Sequence, residues 1–301
     1  MMVAQSTDGV PEAPVAPVAE DSRGIVDPSR FVRSARLERY PPGPALEGLI
    51  DRFWTVTWSL PSGVVNVPQV LQHPCANAWI SHGEADDNAR PGPLEAMVEG
   101  VQRTVSSRRL GGTGWCVAAM TTPGGLGAFV TTPATALTDR AERIQDALDL
   151  DAQGLIAALD EARSDVDRVE LLAKALTALV DRADPDRVAT ARHVAAVAKL
   201  VETDRSLRLI GELSEASGIG VRTLQRLFRE YVGVSPGWVI RRYRLLDTAE
   251  LVRGGQQVSW ADVAADLGYS DQAHLVRDFR GALGTTPAAY ARAQQSFAPD
   301  R

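Results

Sequence analysis

Two groups of side chains near the C-terminus, mostly arginine and glutamine, have the types and the helical spacing that contact with nucleic acid requires. The first group is Arg222, Gln225, Arg226 and Arg229, and the second is Gln272, Ala273, Val276, Arg277 and Arg280. Arginine can donate two hydrogen bonds to guanine, glutamine can pair with adenine, and both can hold a phosphate. A single amphipathic helix with such a face is more often an ordinary solvated surface. These faces indicate contact with nucleic acid only if the two groups lie at equivalent positions of a repeated unit.

A repeat with an offset of 51 residues puts the two groups in equivalent places. Leu224-Gln225-Arg226-Leu227-Phe228-Arg229 and Gly233-Val234-Ser235-Pro236 recur as Leu275-Val276-Arg277-Asp278-Phe279-Arg280 and Gly284-Thr285-Thr286-Pro287. An apolar-patterned segment that ends in glycine precedes each copy, at 210–218 and at 260–268. The order helix, glycine turn, helix, found twice, predicts two helix-turn-helix units, each with a second helix that can enter a major groove.

Apolar residues behind both faces indicate that each recognition helix has one buried side. The residues expected to face inward are Leu224, Leu227, Phe228 and Tyr231 in the first unit and Leu275, Phe279, Ala282 and Leu283 in the second. Those of the first unit follow the i, i+3, i+4, i+7 spacing of one helical face. The arginines and glutamines are then left on the outward side.

The segment 237–253 between the units predicts one long helix. Pro236 suits its start and Gly254-Gly255 suits its end. Its length of about 25 Å, together with the flanking units, would suit two recognition helices in successive major grooves, roughly 34 Å apart. Arg241, Arg242 and Arg244 on this helix either meet DNA phosphates or are merely solvated.

The segment from about 191 to 294 resembles the double helix-turn-helix domain of the AraC/XylS transcriptional regulators. The resemblance rests on Gly218 with Leu224-Gln225-Arg226-Leu227-Phe228, on Gly233-Val234-Ser235-Pro236, on Leu267-Gly268-Tyr269-Ser270-Asp271-Gln272-Ala273-His274-Leu275, and on Gly284-Thr285-Thr286-Pro287. It implies DNA contact through Arg222, Gln225, Arg226, Gln272, Ala273, His274 and Arg277. Three features depart from the family pattern: Gly220 stands where a capping serine is usual, Thr285 and Thr286 replace the usual Val-Ser, and Ala273 offers no hydrogen bond.

Length and charge suit a regulator with more than one domain. The 301 residues can bury two cores. The chain carries a net charge of −6, but residues 191–301 hold 15 Lys and Arg against 12 Asp and Glu, while the remainder holds 17 against 26. The segment that resembles a DNA-binding domain is thus the more basic part.

Residues 1–30 are expected to be a disordered tail that lacks the basic start of a secretory signal. We expect a cytoplasmic protein without membrane contact.

Residues 31–138 predict a β-rich domain, a small antiparallel barrel or sandwich. Short alternating or apolar runs broken by turn residues indicate strands at 53–58, 64–71, 76–81, 97–106, 115–120 and 128–130. The order of its turn residues resembles, more weakly, the β-rich domain that precedes the DNA-binding domain in one branch of the same family. The resemblance implies that this domain senses a small molecule or mediates dimer contacts.

Residues 139–185 predict a helical connector, with helices at 139–148, 151–162 and 166–183, and a break at Asp184-Pro185 before a helix to about Glu202. Apolar stripes on these helices are Leu155, Ile156 and Leu159, then Val169, Leu172, Leu176, Leu179 and Val180. The stripes suit packing in a core and suit a dimer-forming helix pair equally well. The overall expectation is an α+β chain with an all-α double helix-turn-helix domain at 186–301.

The residue types that ligate zinc occur in the β-rich part as His73, Cys75, His82 and Cys116, but their spacing matches no closed zinc motif. We therefore expect no metal, no cofactor and no catalytic residue. Two alternative functions are an enzyme with an appended DNA-binding domain and a protein-binding module. A DNA-repair methyltransferase with an appended DNA-binding domain needs a nucleophilic cysteine with further zinc cysteines, which this chain lacks. A protein-binding module without DNA contact does not explain Arg226 and Arg277.

The sequence therefore predicts a sequence-specific DNA-binding transcriptional regulator that is not an enzyme. Double-stranded DNA is the expected partner, and the DNA-binding residues are Arg222, Gln225, Arg226, Arg229, Gln272, Ala273, His274, Arg277 and Arg280. The resemblance also allows a small-molecule effector, RNA polymerase and a second copy of the chain in a homodimer.

Overall fold

The computed structural model describes residues 24–27, 31, 34–83, 94–253 and 258–296. Most of the predicted tail at 1–30 and the helix stop at Gly254-Gly255 lie outside these residues. Within them, a β-rich half is followed by a half that is helical throughout, which confirms the α+β class.

The described strands form one six-stranded antiparallel sheet and two two-stranded ribbons. The sheet has the order β1-β2-β9-β5-β6-β10, and the ribbons are β3-β8 and β4-β7. In chain order the strands are β1 Ala35–Tyr40, β2 Ile50–Ser59, β3 Val65–Asn66, β4 Gln69–Val70, β5 Asn77–Gly83, β6 Glu95–Glu99, β7 Ser106–Ser107, β8 Leu110–Gly111, β9 Thr113–Thr121 and β10 Ala141–Arg143. The predicted run at 64–71 is divided between the two ribbons, and the run at 97–106 is broken because the chain leaves the large sheet after β6.

Side chains alternate between the two faces of the sheet, as the two-residue period of a strand requires. On one face, Phe53 and Ile80 are fully buried in a core that the following helices complete. On the other face, Trp58 and Trp79 pack with Leu110 of β8, which belongs to the β3-β8 ribbon. The sheet is therefore covered by helices on one side and by the ribbons on the other.

The described helices begin with α1 Ile144–Ala147, α2 Ala152–Glu161, α3 Asp165–Arg182 and α4 Pro185–Thr203. They continue with α5 Ile210–Ser217, α6 Val221–Leu227, α7 Pro236–Arg253, α8 Trp260–Asp266, α9 Gln272–Leu283 and α10 Pro287–Ser296. A π-helical turn, Phe228–Val232, extends α6. The predicted linker helix is α7, which begins one residue earlier than expected.

The predicted strand at 128–130 is wrong, because the chain forms a 3₁₀ turn at Gly125–Ala128. Gly125 lies so close to the neighbouring backbone that a Cβ would be 2.0 Å from the Leu49 carbonyl oxygen. The carbonyl oxygens of Gly127 and Val130 accept hydrogen bonds from Arg187 Nε, at 2.6 and 2.9 Å. The carbonyls of this apolar stretch thus bind a side chain of α4 instead of a neighbouring strand.

The predicted helix at 139–148 is also wrong, since it is replaced by β10 and the short α1. Asp139 has a φ of 56°, and its carboxylate accepts a hydrogen bond of 2.7 Å from the Arg103 backbone N–H. The Asp139 N–H donates to the Val101 carbonyl at 3.0 Å. These contacts turn the chain so that β10 pairs with β6 before a helix can begin.

Among the described residues, α3 and α4 pack mainly in different hydrophobic cores. Val169, Leu172 and Leu176 of α3 pack in the core that contains the covered face of the sheet. Val194 and Ala198 of α4 belong to a second core, which contains the helices that follow. The apolar stripe of α3 therefore packs within the chain itself.

Hydrogen bonds connect the β-rich half to both ends of the helical half. Thr138 Oγ1 donates to the Gly233 carbonyl at 2.7 Å, and the Val105 N–H donates to the Ala282 carbonyl at 2.8 Å. Gly127 packs against the ring of Tyr231, where an added Cβ would be 2.2 Å from the ring. The β-rich half thus contacts the first unit after α6 and the second unit at the end of α9.

Candidate nucleic-acid interface

Each helix-turn-helix unit is built around a glycine with a positive φ. Gly218 follows α5 with a φ of 69°, and Gly268 follows α8 with a φ of 71°. These angles lie in the left-handed region, which costs a residue with a Cβ about 1–2 kcal/mol. The turns bring α5 against α6 and α8 against α9, which confirms the two predicted helix-turn-helix units.

The inward sides of both recognition helices, α6 and α9, are buried as predicted. Leu224, Phe228, Leu275 and Phe279 have no exposed surface. The other predicted inward residues, Leu227, Tyr231, Ala282 and Leu283, are also buried. Because these side chains anchor each helix, the opposite side is held toward solvent.

In the first recognition helix and its π-helical extension, all four predicted contact residues are exposed: Arg222, Gln225, Arg226 and Arg229. Arg226 Nη1 lies 3.3 Å from Glu230 Oε2, and Glu230 in turn lies 3.8 Å from Arg187 Nη1. A surface ion pair of this kind contributes about 0–1 kcal/mol. Arg226 can therefore exchange its contact with Glu230 for one with a nucleic acid with little loss of free energy.

The second recognition helix presents Gln272, Ala273, Arg277 and Arg280. His274 is half-buried, because its ring packs edge-on against Tyr269 with the ring centroids 4.9 Å apart. Its Nδ1 also lies 3.4 Å from Ser270 Oγ. The structure thus brings eight of the nine predicted contact residues to an exposed surface and holds His274 partly against the turn.

The two recognition helices begin with different caps. Gly220 offers α6 no side-chain hydrogen bond. At α9, Asp271 Oδ1 accepts a hydrogen bond of 2.8 Å from the His274 N–H, which with further hydrogen bonds lowers the pKa of Asp271. A capping side chain stabilises a helix by about 1 kcal/mol. The helix start is therefore fixed by a side chain in the second unit and by backbone alone in the first.

Two of the three arginines on the linker helix α7, Arg242 and Arg244, are buried, so neither of the two expected roles, phosphate contact or a solvated surface position, applies to them. Arg244 donates to the carbonyls of Val201 and Asp204 at 2.6 and 2.7 Å, and it pairs with Asp247 at 2.8 Å. Its guanidinium therefore binds the carbonyl oxygens at the C-terminal end of α4 and is not available to DNA. Arg241 remains exposed.

Arg242 joins α7 to the β-rich half, a contact that the sequence pattern did not predict. Nη1 donates to the Gln72 carbonyl at 3.0 Å and Nη2 to the Arg103 carbonyl at 2.6 Å. The guanidinium also lies over Trp238, 4.5 Å from the ring centroid. Burial lowers the pKa of Arg242 to about 10, so the side chain stays charged at neutral pH.

The four residues that could ligate zinc do not form a common site. Cys75 and Cys116 are buried free thiols, and burial raises the pKa of Cys116 to about 12. His82 Nδ1 lies 2.8 Å from Asp160 Oδ1. Across the described ranges, three or more His, Cys, Asp or Glu side chains never gather in a way that could hold a metal ion.

Neither cysteine is expected to react with thiol reagents in the folded protein, since only the thiolate is a nucleophile and both thiols are buried. Burial also raises the pKa of Cys75. We expect negligible alkylation by iodoacetamide at pH 8 and complete alkylation in denaturant, as measured by intact mass. Rapid modification of the folded chain would contradict this environment for the two side chains.

Two segments of the chain match family models. Residues 213–293 match a family described as a helix-turn-helix domain. Residues 38–143 match a domain of unknown function, DUF6597, which extends from within β1 to the end of β10. None of the described helices combines the length and the apolar character needed to cross a membrane.

Two bacterial transcriptional regulators match about a quarter of this chain. The probable transcription factor PqrA of Proteus vulgaris is 33% identical over 81 residues, which are 27% of this chain and 66% of PqrA. The virulence regulon transcriptional activator VirF of Yersinia enterocolitica is 30% identical over 80 residues, 26% of this chain and 29% of VirF. The chain thus spans less than two thirds of the length of these relatives. The crystal structure of ToxT from Vibrio cholerae O395 covers 80% of this chain and 97% of ToxT at 11% identity, with a TM-score of 0.37.

Proposed function

We propose that this chain, whose C-terminal segment is a double helix-turn-helix domain of the AraC/XylS type, is a sequence-specific DNA-binding transcriptional regulator. The observation that supports this most is the presence of two recognition helices, each anchored by a buried apolar side and each with arginine on its exposed side. Because the helix-turn-helix family model matches residues 213–293 and the relatives match about a quarter of the chain, the role of the whole chain is inferred from that part.

The proposed contacts with DNA are Arg222, Gln225 and Arg226 of α6, Arg229 of the π-helical turn that extends it, and Gln272, Ala273, His274, Arg277 and Arg280 of α9. The 18 residues of α7 span about 27 Å. With the width of the two units, this length suits successive major grooves on one side of the duplex, roughly 34 Å apart. Arginine and glutamine in these positions can donate to base edges and to phosphates.

A selection from randomised duplex DNA with the full chain tests this function. A sequence-specific regulator enriches one motif over many rounds, and its affinity for that motif exceeds that for unrelated DNA by about 10³-fold or more. A protein that binds only phosphates enriches no motif, and its affinity falls uniformly with salt. Recovery of unrelated sequences at equal affinity would contradict the proposal.

The two units are expected to differ in what they contribute to recognition. At equivalent positions α6 has Arg222, Gln225, Arg226 and Arg229, whereas α9 has Ala273, Val276, Arg277 and Arg280. Two of four positions in α9 therefore cannot hydrogen-bond to a base edge. We expect Gln225→Ala to change which site variants are preferred and Arg277→Ala to weaken all variants almost equally. Equally strong base preferences under both helices in the selected motif would refute this ranking.

We propose that residues 186–301 form the DNA-binding domain and residues 31–138 the regulatory domain, joined by the connector 139–185. Support comes from α4, whose buried residues share a core with the helices that follow. A fragment of residues 186–301 is expected to be helical by circular dichroism and to bind the same DNA site more weakly than the full chain. A fragment without helical signal would place the boundary elsewhere.

We further propose that the β-rich domain responds to a small-molecule effector and changes how the two units meet DNA. It contacts Gly233 of the first unit and Ala282 of the second, so a change in its conformation can reach both units directly. A ligand can act in this way only if it binds one arrangement of the units better than another. A second copy of the chain and RNA polymerase are further partners that we propose for a regulator of this type.

A further inference from the structure

The β-rich half and the second helix-turn-helix unit border a common cleft of about 450 Å³. The β-rich half contributes Arg103, Thr104 and Asp139 to its wall, and the helices α7 and α9 contribute most of the remainder. The chain next to Thr104 is held against α9, because the Val105 N–H donates to the Ala282 carbonyl at 2.8 Å. The cleft is therefore a fixed feature of this arrangement of the two halves.

The wall of the cleft is positively charged. Its charged residues are four arginines and two aspartates: Arg103, Arg241, Arg242, Arg277, Asp139 and Asp278. The Asp139 carboxylate already binds Arg103, with Arg103 Nε at 2.5 Å from Asp139 Oδ2. Arg242 is held by two backbone carbonyls. The excess of two positive charges in the wall suits an anion.

Two guanidinium groups in the wall are available to such an anion. Arg241 of α7 and Arg277 of α9 are both exposed, and neither has an ion pair or a hydrogen bond among the residues that the structure describes. A guanidinium forms strong, charge-assisted hydrogen bonds with phosphate oxygens. The two side chains therefore indicate a phosphate as the occupant of the cleft.

Arg277 connects the cleft to the proposed DNA interface. It lies on the exposed side of α9, while Asp278, Gly281 and Ala282 of the same helix line the cleft along one flank. A helix that enters the major groove has a sugar-phosphate backbone along each of its flanks. The backbone on this flank would therefore pass the mouth of the cleft.

We propose that the cleft is a phosphate clamp, formed by Arg241, Arg277 and Thr104, that holds the DNA backbone beside the groove occupied by α9. In this arrangement the β-rich half forms one wall of the DNA interface. The inference rests on the proposed function and deepens it, because it adds a contact with DNA outside the two recognition helices. Phosphate contacts fix the register of a protein on the duplex without reading its bases. The clamp therefore contributes affinity and not base preference.

The clamp also makes DNA affinity depend on how the two halves are docked. Arg242 Nη2 donates to the carbonyl of Arg103 at 2.6 Å, directly before Thr104, and Val105 directly after it is bonded to Ala282. Thr104 is thus fixed from α7 on one side and from α9 on the other. A change that separates the halves removes this wall of the clamp.

The salt dependence of DNA binding by the full chain tests the clamp, because each phosphate that is neutralised releases counterions. We expect Arg241→Gln to reduce the slope of log K against log salt concentration by about 0.9, for the selected site and for unrelated duplex alike. Arg163→Gln, in the exposed loop between α2 and α3, is the matched control and should leave the slope unchanged. Equal slopes for the two variants, with unchanged melting temperatures, would overturn the proposal.

Substitutions of Thr104 test the contribution of the β-rich half. Thr104 is exposed, lines the cleft and makes no side-chain hydrogen bond with a described residue. Thr104→Glu is expected to weaken DNA binding about tenfold, because it places a carboxylate against a phosphate. Thr104→Gln adds a side chain of the same size without the charge and should bind DNA as the wild type does. Equal affinities of the two variants would overturn the assignment of this wall to the DNA interface.

Three further outcomes separate the clamp from the proposed function and from a site for a free anion. A reduced slope in Arg241→Gln without any preferred DNA sequence would refute the proposed function and leave the clamp intact. A preferred sequence with an unchanged slope would refute the clamp alone. Saturable binding of pyrophosphate at micromolar concentration, without DNA and lost in Arg241→Gln, would indicate a site for a small phosphorylated ligand and overturn the assignment to DNA.

Discussion

Replacing Arg226 with alanine is expected to lower the free energy of specific DNA binding by about 1–3 kcal/mol and to relax base preference at one position. Arg226 lies on the exposed side of α6 between Arg222 and Arg229, while the buried Leu224 and Phe228 fix the helix from behind. Loss of a bidentate contact leaves the base edge unpaired, which accounts for the size of the effect. A mobility-shift titration against the selected site and its single-base variants measures both changes.

Arg163→Ala is the matched control for Arg226→Ala. It removes the same charge from an exposed position in the loop between α2 and α3, outside both helix-turn-helix units. We expect it to change affinity only through net charge, and equally for all DNA sequences. If Arg226→Ala leaves affinity and base preference unchanged, α6 is not a reading helix.

Replacing Arg242 with alanine is expected to lower the free energy of unfolding by about 2–4 kcal/mol. The change removes two hydrogen bonds from a charged donor, each worth about 1.5–3 kcal/mol, and leaves two carbonyls without that partner. The gain from no longer burying the charge offsets part of this loss. Because Gln72 and Arg103 belong to the β-rich half, the variant should also loosen the contact between the two halves.

Chemical denaturation followed by two signals measures this effect. Tryptophan fluorescence reports in part on the sheet, which contains Trp54, Trp58, Trp79 and Trp115, and circular dichroism at 222 nm reports mainly on the helices. The wild type should lose both signals together, whereas Arg242→Ala should lose them at different denaturant concentrations. Arg241→Ala, at the exposed neighbouring position, should shift stability by about 0.5 kcal/mol or less. Coincident and unshifted transitions in Arg242→Ala would contradict the role of this contact.

The helical half could be predicted from the sequence because its signals are local. The inward residues Leu224 and Phe228 recur at helical spacing, Gly218 supplies the left-handed turn, and Pro236 begins the linker helix within one residue of the expected start. Each of these signals depends on residues a few positions apart. The pattern that fixed the fold also identified the exposed face of each recognition helix.

The errors arose where long-range contacts override local patterns. Arg242 looks like an exposed arginine on an amphipathic helix, but its acceptors lie 170 and 139 residues away in the chain. Asp139 looks like the start of a helix, but its carboxylate binds the backbone of Arg103, 36 residues away. The helical or strand periodicity of a sequence carries no information about partners so far away in the chain. Arg108 and Trp79 likewise meet only after the ribbons fold over the sheet, which places the guanidinium 3.4 Å from the ring centroid.

Hydroxyl-radical footprinting of the full chain on its selected DNA site tests the central claim most directly, because it maps where each unit contacts the backbone. Two helix-turn-helix units joined by α7 should protect two patches on one face of the duplex, about one helical turn or 10–10.5 base pairs apart. Arg277→Ala should weaken the protection assigned to the second unit more than that of the first. A single protected patch, unchanged by Arg277→Ala, would contradict DNA contact by both units.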